Sequence, residues 1–383
     1  MKCKEIRIGA LYPLTGNRQL LGQSIRRALE LYVDLINHQI IAPPALIQSN
    51  LDGARIRLIW GDTKGDPIFA QEEVKRLIED ERVTSIIGCY QSSVTQAVSF
   101  QAEIYNIPFL SPDADASILT QRGFNWFFRT GPTSRIYSEK IFDMLGKTRF
   151  SAVTLGSLSE NSLLGQDEVQ AMINLSRKYR HKITIIELFE AITNNQLHSI
   201  KSSNPDMLVI PQAEEDDLKT IRILKEIGYC PLAYLDQTGF FALEELLKIA
   251  GVYADHVIST AAWALGLTRK LPLAREINQL YKARYGDNLN SVNALSFTGI
   301  YVLVDAIARA HSESQRDIRR SLINTDIPGG TLILPWDGIH FDETGQNIFA
   351  ESMVLQVLNK TNKIVWPKDL AETNVIIPAY PCD

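Results

Sequence analysis

The sequence predicts an α/β protein built from two doubly wound lobes, each a parallel sheet with helices on both faces. Short apolar strands alternate with helices along the first 150 residues, and a second strand–helix series starts near Pro132. Strands this short and apolar are typical of parallel sheets that are covered on both sides. The chain also has 383 residues, which is too many for one ordinary hydrophobic core.

The first series opens with an apolar strand that begins at Ile6 and ends at Tyr12. A polar loop, 14–22, leads to apolar residues at helical spacing, which form one face of a helix: Ile25, Ala28, Leu29, Tyr32, Leu35 and Ile36. After a second strand at 56–60, Asp66 is the expected N-cap of a helix with Pro67 at its first position.

Three more strands complete this series, at 85–88, 107–110 and 126–128. We expect Ser92 or Ser93 to cap the helix that follows the strand at 85–88.

The second series repeats the alternation and then becomes helical. Strands are predicted at 152–155, 183–189, 207–210 and 232–235, and helices at 273–285, 294–310 and 317–322. Glycines then punctuate short strands through Ile364, as if the chain returned to finish a sheet. These changes predict a first lobe of residues 1–131 plus 260–328 and a second lobe of 132–259 plus 329–383, joined by a hinge of three crossings.

Composition excludes several classes of function. The chain carries 39 basic and 44 acidic residues, and no Lys/Arg cluster interleaves with aromatic residues, so a nucleic-acid surface is not expected. The most apolar run, 258–267, is about half the ~18 residues that cross a bilayer, so we expect a soluble protein without membrane insertion. No export signal precedes the first strand, which fits either a cytoplasmic chain or one whose signal has been removed.

Motifs of catalysis are missing from the sequence. There is no GxSxG, HExxH or GxGxxG motif in the required context, and the six histidines lack ligand spacing. The four cysteines (Cys3, Cys89, Cys230 and Cys382) are far apart, so isolated thiols are favoured and one disulfide stays open. We therefore predict no catalytic residue, no metal, no cofactor and no enzymatic activity.

Polar loops at the carboxyl ends of the predicted strands are the remaining candidates for function. In open α/β sheets ligands bind at this edge, because helix N-termini present free N–H groups there. The loops are 14–22, 90–93, 111–117 and 156–165, with 212–214 and 236–239 in the second lobe. They predict the binding of one small polar solute.

Short motifs also occur in a characteristic order, at 8–16, 87–95, 107–112, 119–130, 341–347 and 365–367. Together they resemble the opening strand, ligand loops and closing strands of the type I periplasmic binding proteins that serve transport of branched-chain amino acids and amides. The resemblance implies a two-lobed clamp that closes on the solute in the cleft between its lobes. It also implies delivery to the membrane permease of an ABC transporter, a periplasmic location and a monomeric receptor.

The resemblance further implies where the solute binds. Ser92 matches the serine that holds the ligand carboxylate, Asp115 falls on the family's hydroxyl position, and Gln237 aligns with the usual acidic residue of the second lobe. Aromatic contacts of the family align near Leu21, Leu164 and Ala213, none of which is aromatic. The implied ligand-binding residues are Leu21, Tyr90, Ser92, Ser93, Asp113, Ala114, Asp115, Leu164, Ala213, Asp236 and Gln237.

These differences from the residues of the family predict the chemistry of the solute. An aspartate facing a ligand carboxylate is unfavourable in a cleft of reduced dielectric, so Asp113, Asp115 and Asp236 favour an N–H donor such as an amide or a cationic amine. Simple aliphatic amino acids are disfavoured because a buried ammonium needs a partner that Gln237 does not supply. Alternatively, Asp113 and Asp115 cap a short helix beginning near Ala116, with only their backbone N–H groups near the solute.

A second function stays open at this point. Ligand sensors of the amide-sensor type share the fold, and the missing export signal fits a cytoplasmic ligand-sensing regulator that releases a partner on closure. The motif at 341–347 instead favours the transport receptor.

Overall fold

The computed structural model describes residues 5–38, 51, 53–148, 150, 153–210, 214–237, 239, 247 and 253–378. Its contacts divide the chain into two compact units. The first unit comprises Met1–Pro132 and Leu271–Glu351, and the second comprises Thr133–Lys270 and Ser352–Asp383.

The strands and helices follow one another closely in chain order. The segment before Pro132 contains β1 (Glu5–Tyr12), α1 (Gln19–His38), β2 (Arg55–Asp62), α2 (Pro67–Glu79), β3 (Ser85–Gly88), α3 (Ser92–Tyr105), β4 (Phe109–Ser111) and β5 (Phe127–Arg129). The middle segment contains α4 (Ser134–Gly146), β6 (Thr154–Glu160), α5 (Leu163–Tyr179), β7 (Lys182–Phe189), α6 (Asn194–Ser203), β8 (Met207–Val209), α7 (Glu214–Glu226), β9 (Ala233–Leu235) and β10 (Ile258–Ala261). The last segment contains α8 (Pro272–Tyr285), α9 (Ser291–Ala310), α10 (Gln315–Ile323), β11 (Asp326–Pro328), β12 (Gly338–His340), β13 (Met353–Leu358) and β14 (Thr361–Trp366).

The sheet of the first unit has the strand order β2-β1-β3-β4-β5, and every neighbouring pair is parallel. Chain order reverses between β1 and β3, so the carboxyl ends of these two strands form a topological switch point. Ligands of open α/β sheets bind in the crevice at such a point. The fold class predicted from the sequence is confirmed.

Local sequence signals explain several boundaries of the first unit. The Asp66 carboxylate accepts hydrogen bonds from the N–H groups of Ile68 and Phe69, which confirms it as the N-cap of α2. Helix α9 has the length and hydropathy of a membrane span, but nearly all its side chains are buried within the protein. We interpret α9 as the core helix of this unit, because it contacts α1, β3 and β4.

The sheet of the second unit has the order β14-β13-β10-β9-β8-β6-β7. Strands β6 to β10 form a parallel arrangement like that of the first sheet, and β13 and β14 add an antiparallel edge. Its apolar core includes Leu155, Met207, Leu235 and Val354, all of them buried.

Two expected boundaries differ from the structure. The sequence placed residues 329–383 in the second lobe, but residues 329–351 belong to the first unit. The reason is that β12 pairs with β11 and residues 345–347 bond to the backbone of Arg129, so this stretch stays on the first unit. Residues 260–270, expected in the first lobe, belong to the second unit, because Thr260 and Ala261 of β10 pair with β13. The remaining boundary falls after Pro132, one residue beyond the expected position.

A glycine near the start of α1 allows the loop that follows β1 to lie close to this helix. A methyl group at Gly22 would collide with the carbonyl oxygen of Pro13. Gly165 occupies the same position in α5, where a methyl group would meet the carbonyl oxygen of Glu160. In both units a glycine therefore allows the loop after the first strand to lie against the following helix.

We expect Gly22→Ala to lower the free energy of unfolding by about 2 kcal/mol, because the backbone of the loop must move to admit the methyl group. Gly330→Ala is the control, since this exposed glycine has no atom within 4 Å of the added methyl group. Urea unfolding of both variants gives the comparison. Equal stability of the two variants would contradict the tight approach at Gly22.

Candidate functional site

The candidate site lies at the carboxyl ends of β1 and β3 in the first unit. Tyr12 ends β1, and Tyr90 and Ser92 follow β3. The loop 112–116 follows β4, the neighbour of β3 in the sheet. The structure thus gathers at one sheet edge most of the residues that the resemblance implied for the first lobe.

Ser92 joins two of these loops. It is buried, and its Oγ accepts a hydrogen bond of 3.2 Å from the N–H of Ala116. The expectation that Ser92 or Ser93 caps α3 is wrong: Gln91 is the N-cap residue and makes no side-chain cap bond, while Ser92 is the first helical residue. The Ser92 hydroxyl keeps its proton for donation, because accepting an N–H bond uses only a lone pair.

The Asp113 carboxyl connects the loop 112–116 with β1 and α9 through hydrogen bonds. The Ser296 hydroxyl on α9 donates to its Oδ2 at 3.0 Å, and the Tyr12 hydroxyl donates to the same oxygen at 3.4 Å. Burial raises the pKa of Asp113 to about 8, and the charge of Asp115 adds to that rise. The two hydroxyl bonds act in the opposite direction. Asp113 is therefore largely uncharged below about pH 8.

The short helix after β4 begins near Ala116, as expected, but neither Asp113 nor Asp115 caps it. It is a single 3-10 turn at Ser117–Thr120 whose N-cap position is Ala116, without a side-chain cap bond. Asp113 accepts bonds from Tyr12 and Ser296, so its expected role as the cap of this helix is wrong.

Arg129 lies beneath the same loop and was not identified from the sequence. Its side chain is fully buried, and its Nη1 donates to the carbonyl oxygens of Ala114 at 3.1 Å and Ala116 at 2.7 Å. Its Nη2 donates to Thr120 Oγ1 at 3.0 Å, and its Nε donates to Gln346 Oε1 at 2.6 Å. The bonds to Ala114 and Ala116 hold two backbone carbonyl groups of the loop 112–116 in place, and so they fix the orientation of the loop at the sheet edge.

The motif at 341–347 supports Arg129 from the other side. Gln346 Nε2 donates to the carbonyl oxygen of Gly131 at 3.0 Å, and Asn347 Nδ2 donates to that of Thr130 at 3.2 Å. The motif thus stabilises the end of β5 within the first unit.

The other predicted residues of the first unit differ in burial. Ala114 and Asp115 are buried, Leu21 on α1 and Tyr90 are half-buried, and Ser93 is exposed. The Arg18 guanidinium lies 5.8 Å from the centre of the Tyr90 ring, so a cation also belongs to this edge. Sequence analysis did not single out Arg18, Tyr12 or Ser296.

The second unit places two predicted residues directly after β9. Asp236 is buried and accepts bonds from Ser259 Oγ at 2.7 Å and from the N–H of Gly239 at 3.2 Å. Gln237 is also buried, and among the described residues neither polar atom of its side chain has a hydrogen-bond partner. Leu164 is half-buried on α5. Ala213 lies outside the described residues.

Metal and thiol chemistry find no support in the described ranges. Within them no cluster of three or more His, Cys, Asp or Glu residues could hold a metal ion. Cys89 and Cys230 form no disulfide within the described residues, and burial raises the pKa of Cys89. Cys3 and Cys382 lie outside the described residues.

Residues 5–362 match the family model described as "Periplasmic binding protein". The chain belongs to this family. It is 24% identical to Leu/Ile/Val-binding protein homolog 7 of Brucella suis biovar 1, over 98% of this chain and 94% of that protein. The resemblance stated from the sequence motifs is confirmed.

Solved structures show the same fold at lower identity. The leucine binding protein LivK of Thermotoga maritima superposes with a TM-score of 0.81 at 20% identity, over 94% of this chain and 97% of LivK. A solute binding protein of an ABC transporter from Rhodopseudomonas palustris BisB5, in complex with 3,4-dihydroxybenzoic acid, has a TM-score of 0.78 at 17% identity, with 94% and 95% of the two chains covered. These likenesses show that the chain shares the fold of those two binding proteins.

Proposed function

We propose that this periplasmic binding protein is the solute receptor of an ABC transporter, and that Ser92 and its neighbours at the edge of the first sheet anchor the solute. The observation that carries the proposal is the bond from Ala116 to Ser92. It brings the start of α3 and the loop 112–116 together at the switch point. Membership of a solute-binding family supports the same conclusion.

The charges and dipoles of this edge define what it can bind. The N-terminus of α3 carries partial positive charge and no side-chain cap, so it suits an oxygen acceptor of the solute. Asp113 is largely uncharged at neutral pH and is engaged by hydroxyl groups, so it does not supply a full negative charge. Asp115, rather than Asp113, is therefore the carboxylate that we expect to attract an N–H donor of the solute.

Relatives differ in the solutes that they bind. LivK is named for leucine, and the receptor from Rhodopseudomonas palustris BisB5 was crystallised with an aromatic acid. Those solutes carry a carboxylate, but in this chain the loop 112–116 itself contains the buried Asp115. We therefore propose a solute whose head carries both an oxygen acceptor and N–H donors, with Leu21 contacting an apolar body.

Location and partner follow from the same proposal. A transport receptor works outside the cytoplasm and delivers its solute to a membrane permease, and lobe closure on the solute stays a prediction of the resemblance. The alternative is a cytoplasmic ligand-sensing regulator of the amide-sensor type. Neighbouring genes separate the two: permease and ATPase genes support the receptor, and an amidase operon supports the regulator.

Removing the Ser92 hydroxyl tests the anchor. We expect Ser92→Ala to weaken binding of the co-purifying solute by about 1–2 kcal/mol, because one direct hydrogen bond is lost. Calorimetry with the solute identified by mass spectrometry gives the measurement.

Ser99→Ala is the matched control for this variant. Ser99 is a buried serine on the same helix, and its hydroxyl donates to the carbonyl oxygen of Thr95 at 2.6 Å. This change should affect stability and leave the affinity unchanged. Undiminished binding by Ser92→Ala would show that the anchor lies elsewhere.

A further inference from the structure

Two adjacent strands of the second sheet end in buried polar groups without partners. Gln237 lies two residues beyond the end of β9, and Trp263 lies two residues beyond the end of β10. Both side chains are 1% exposed. In the part of the chain that the structure describes, the two amide atoms of Gln237 and the indole Nε1 of Trp263 have no hydrogen-bond partner.

The backbone places these groups at the same edge of the sheet. Strands β9 and β10 are parallel neighbours, and the N–H of Asp236 donates to the carbonyl oxygen of Ile258 at 2.8 Å. Thr260 Oγ1 donates to the backbone carbonyl of Gln237 at 2.8 Å, which fixes Gln237 beside β10. The side-chain amide of Gln237 takes no part in that contact.

Buried polar groups in folded proteins are nearly always paired, so two unpaired side chains at one sheet edge need an explanation. The adjacent Asp236 carboxylate is not the missing partner, because it already accepts bonds from Ser259 and Gly239. Ordered water is the ordinary partner of such groups. A solute is the alternative at an edge where sheets of this type bind ligands.

The unpaired atoms specify a hydrogen-bond pattern. Gln237 offers one acceptor and an N–H₂ donor, and Trp263 offers one N–H donor. A carboxamide or urea group supplies both an oxygen acceptor for these donors and an N–H donor for Gln237 Oε1. An ammonium would leave both donors unpaired, and a carboxylate would leave Gln237 Oε1 unpaired.

We propose that Gln237 and Trp263 bind a neutral carboxamide or urea group, which makes amide-type solutes the substrate class of this receptor. The inference rests on the proposed function, because it specifies the chemistry of the solute that the receptor takes. It does not depend on which residue of the first unit anchors the solute.

Three probes of matched length test the pattern: pentanamide, pentylamine and pentanoate. Calorimetry on the full chain, after exhaustive dialysis, should show pentanamide binding at least about tenfold more tightly than either of the others. Trp263→Phe should weaken pentanamide binding by about five- to tenfold and leave pentylamine binding unchanged, because only the amide uses the indole donor.

Gln237→Glu provides the decisive variant. A carboxylate cannot donate a hydrogen bond but pairs well with an ammonium, so the order of pentanamide and pentylamine should reverse. Gln356→Glu is the matched control in the same unit. Gln356 is equally buried, but its amide is fully paired with the backbone of His256 and Ile376. That control should lower stability without changing the order of the probes.

Several results would overturn the inference. These are pentanoate binding as tightly as pentanamide, an unchanged order of probes in Gln237→Glu, or no binding of pentanamide, which would leave water as the partner of both side chains. The proposed function is judged separately, by whether the protein purified under native conditions carries a small solute of any class.

Discussion

Replacing Arg129 by methionine is expected to lower the free energy of unfolding of the first unit by about 3–5 kcal/mol. The guanidinium is fully buried and donates to Ala114, Ala116, Thr120 and Gln346. Methionine keeps much of the apolar volume but none of the donors, so four acceptors, three of them buried, lose their partner together. Urea unfolding followed by circular dichroism measures the loss.

Arg26→Met is the control for this prediction. Arg26 pairs with Glu30 on the exposed face of α1, and its side chain is 46% exposed. An exposed pair of this kind contributes about 1 kcal/mol or less, so this variant should unfold close to the wild type. A loss at Arg129 no larger than the loss at Arg26 would mean that the guanidinium does not hold the loop.

Replacing Asp113 by asparagine is expected to change the pH dependence of stability. The pKa of Asp113 is about 8 in the folded protein because the carboxyl is buried, against an ordinary value of 3.8. Between these two values the folded chain holds a proton that the unfolded chain releases. The stability of the wild type must therefore fall as the pH rises from about 4 to about 8.

Asparagine removes this titration. Between pH 5 and pH 8 the wild type should lose about 3–4 kcal/mol of unfolding free energy that Asp113→Asn retains. Asp337→Asn, at an exposed position of the same unit, should follow the wild-type curve. Parallel curves for wild type and Asp113→Asn would show that Asp113 is charged in the folded protein.

Local signals explain how much of the fold was predictable. Asp66 followed by Pro67 defines the start of α2, and the apolar strands before Tyr12 and Gly88 define the two ends of the switch point. Each of these signals lies within a few neighbouring residues. The family resemblance then identified Ser92, which the structure places at the edge expected for a ligand.

The contacts missed by sequence analysis join distant parts of the chain. Asp113 meets Ser296 across 183 residues, and Arg129 meets Gln346 across 217 residues. A polar residue in the sequence gives no sign of whether its partner lies in solvent or on another element. The unpaired amide of Gln237 is also a property of the packed structure, because the sequence alone does not show that the side chain is buried.

Native mass spectrometry tests the central claim, that the chain holds one small solute at the edge of the first sheet. The protein purified under mild conditions and exposed to a metabolite extract should show one added small molecule per chain, which denaturation releases. Ser92→Ala should lose this molecule at lower collision energy than Ser99→Ala does. A spectrum with only the mass of the bare chain, or equal retention by the two variants, would contradict the account.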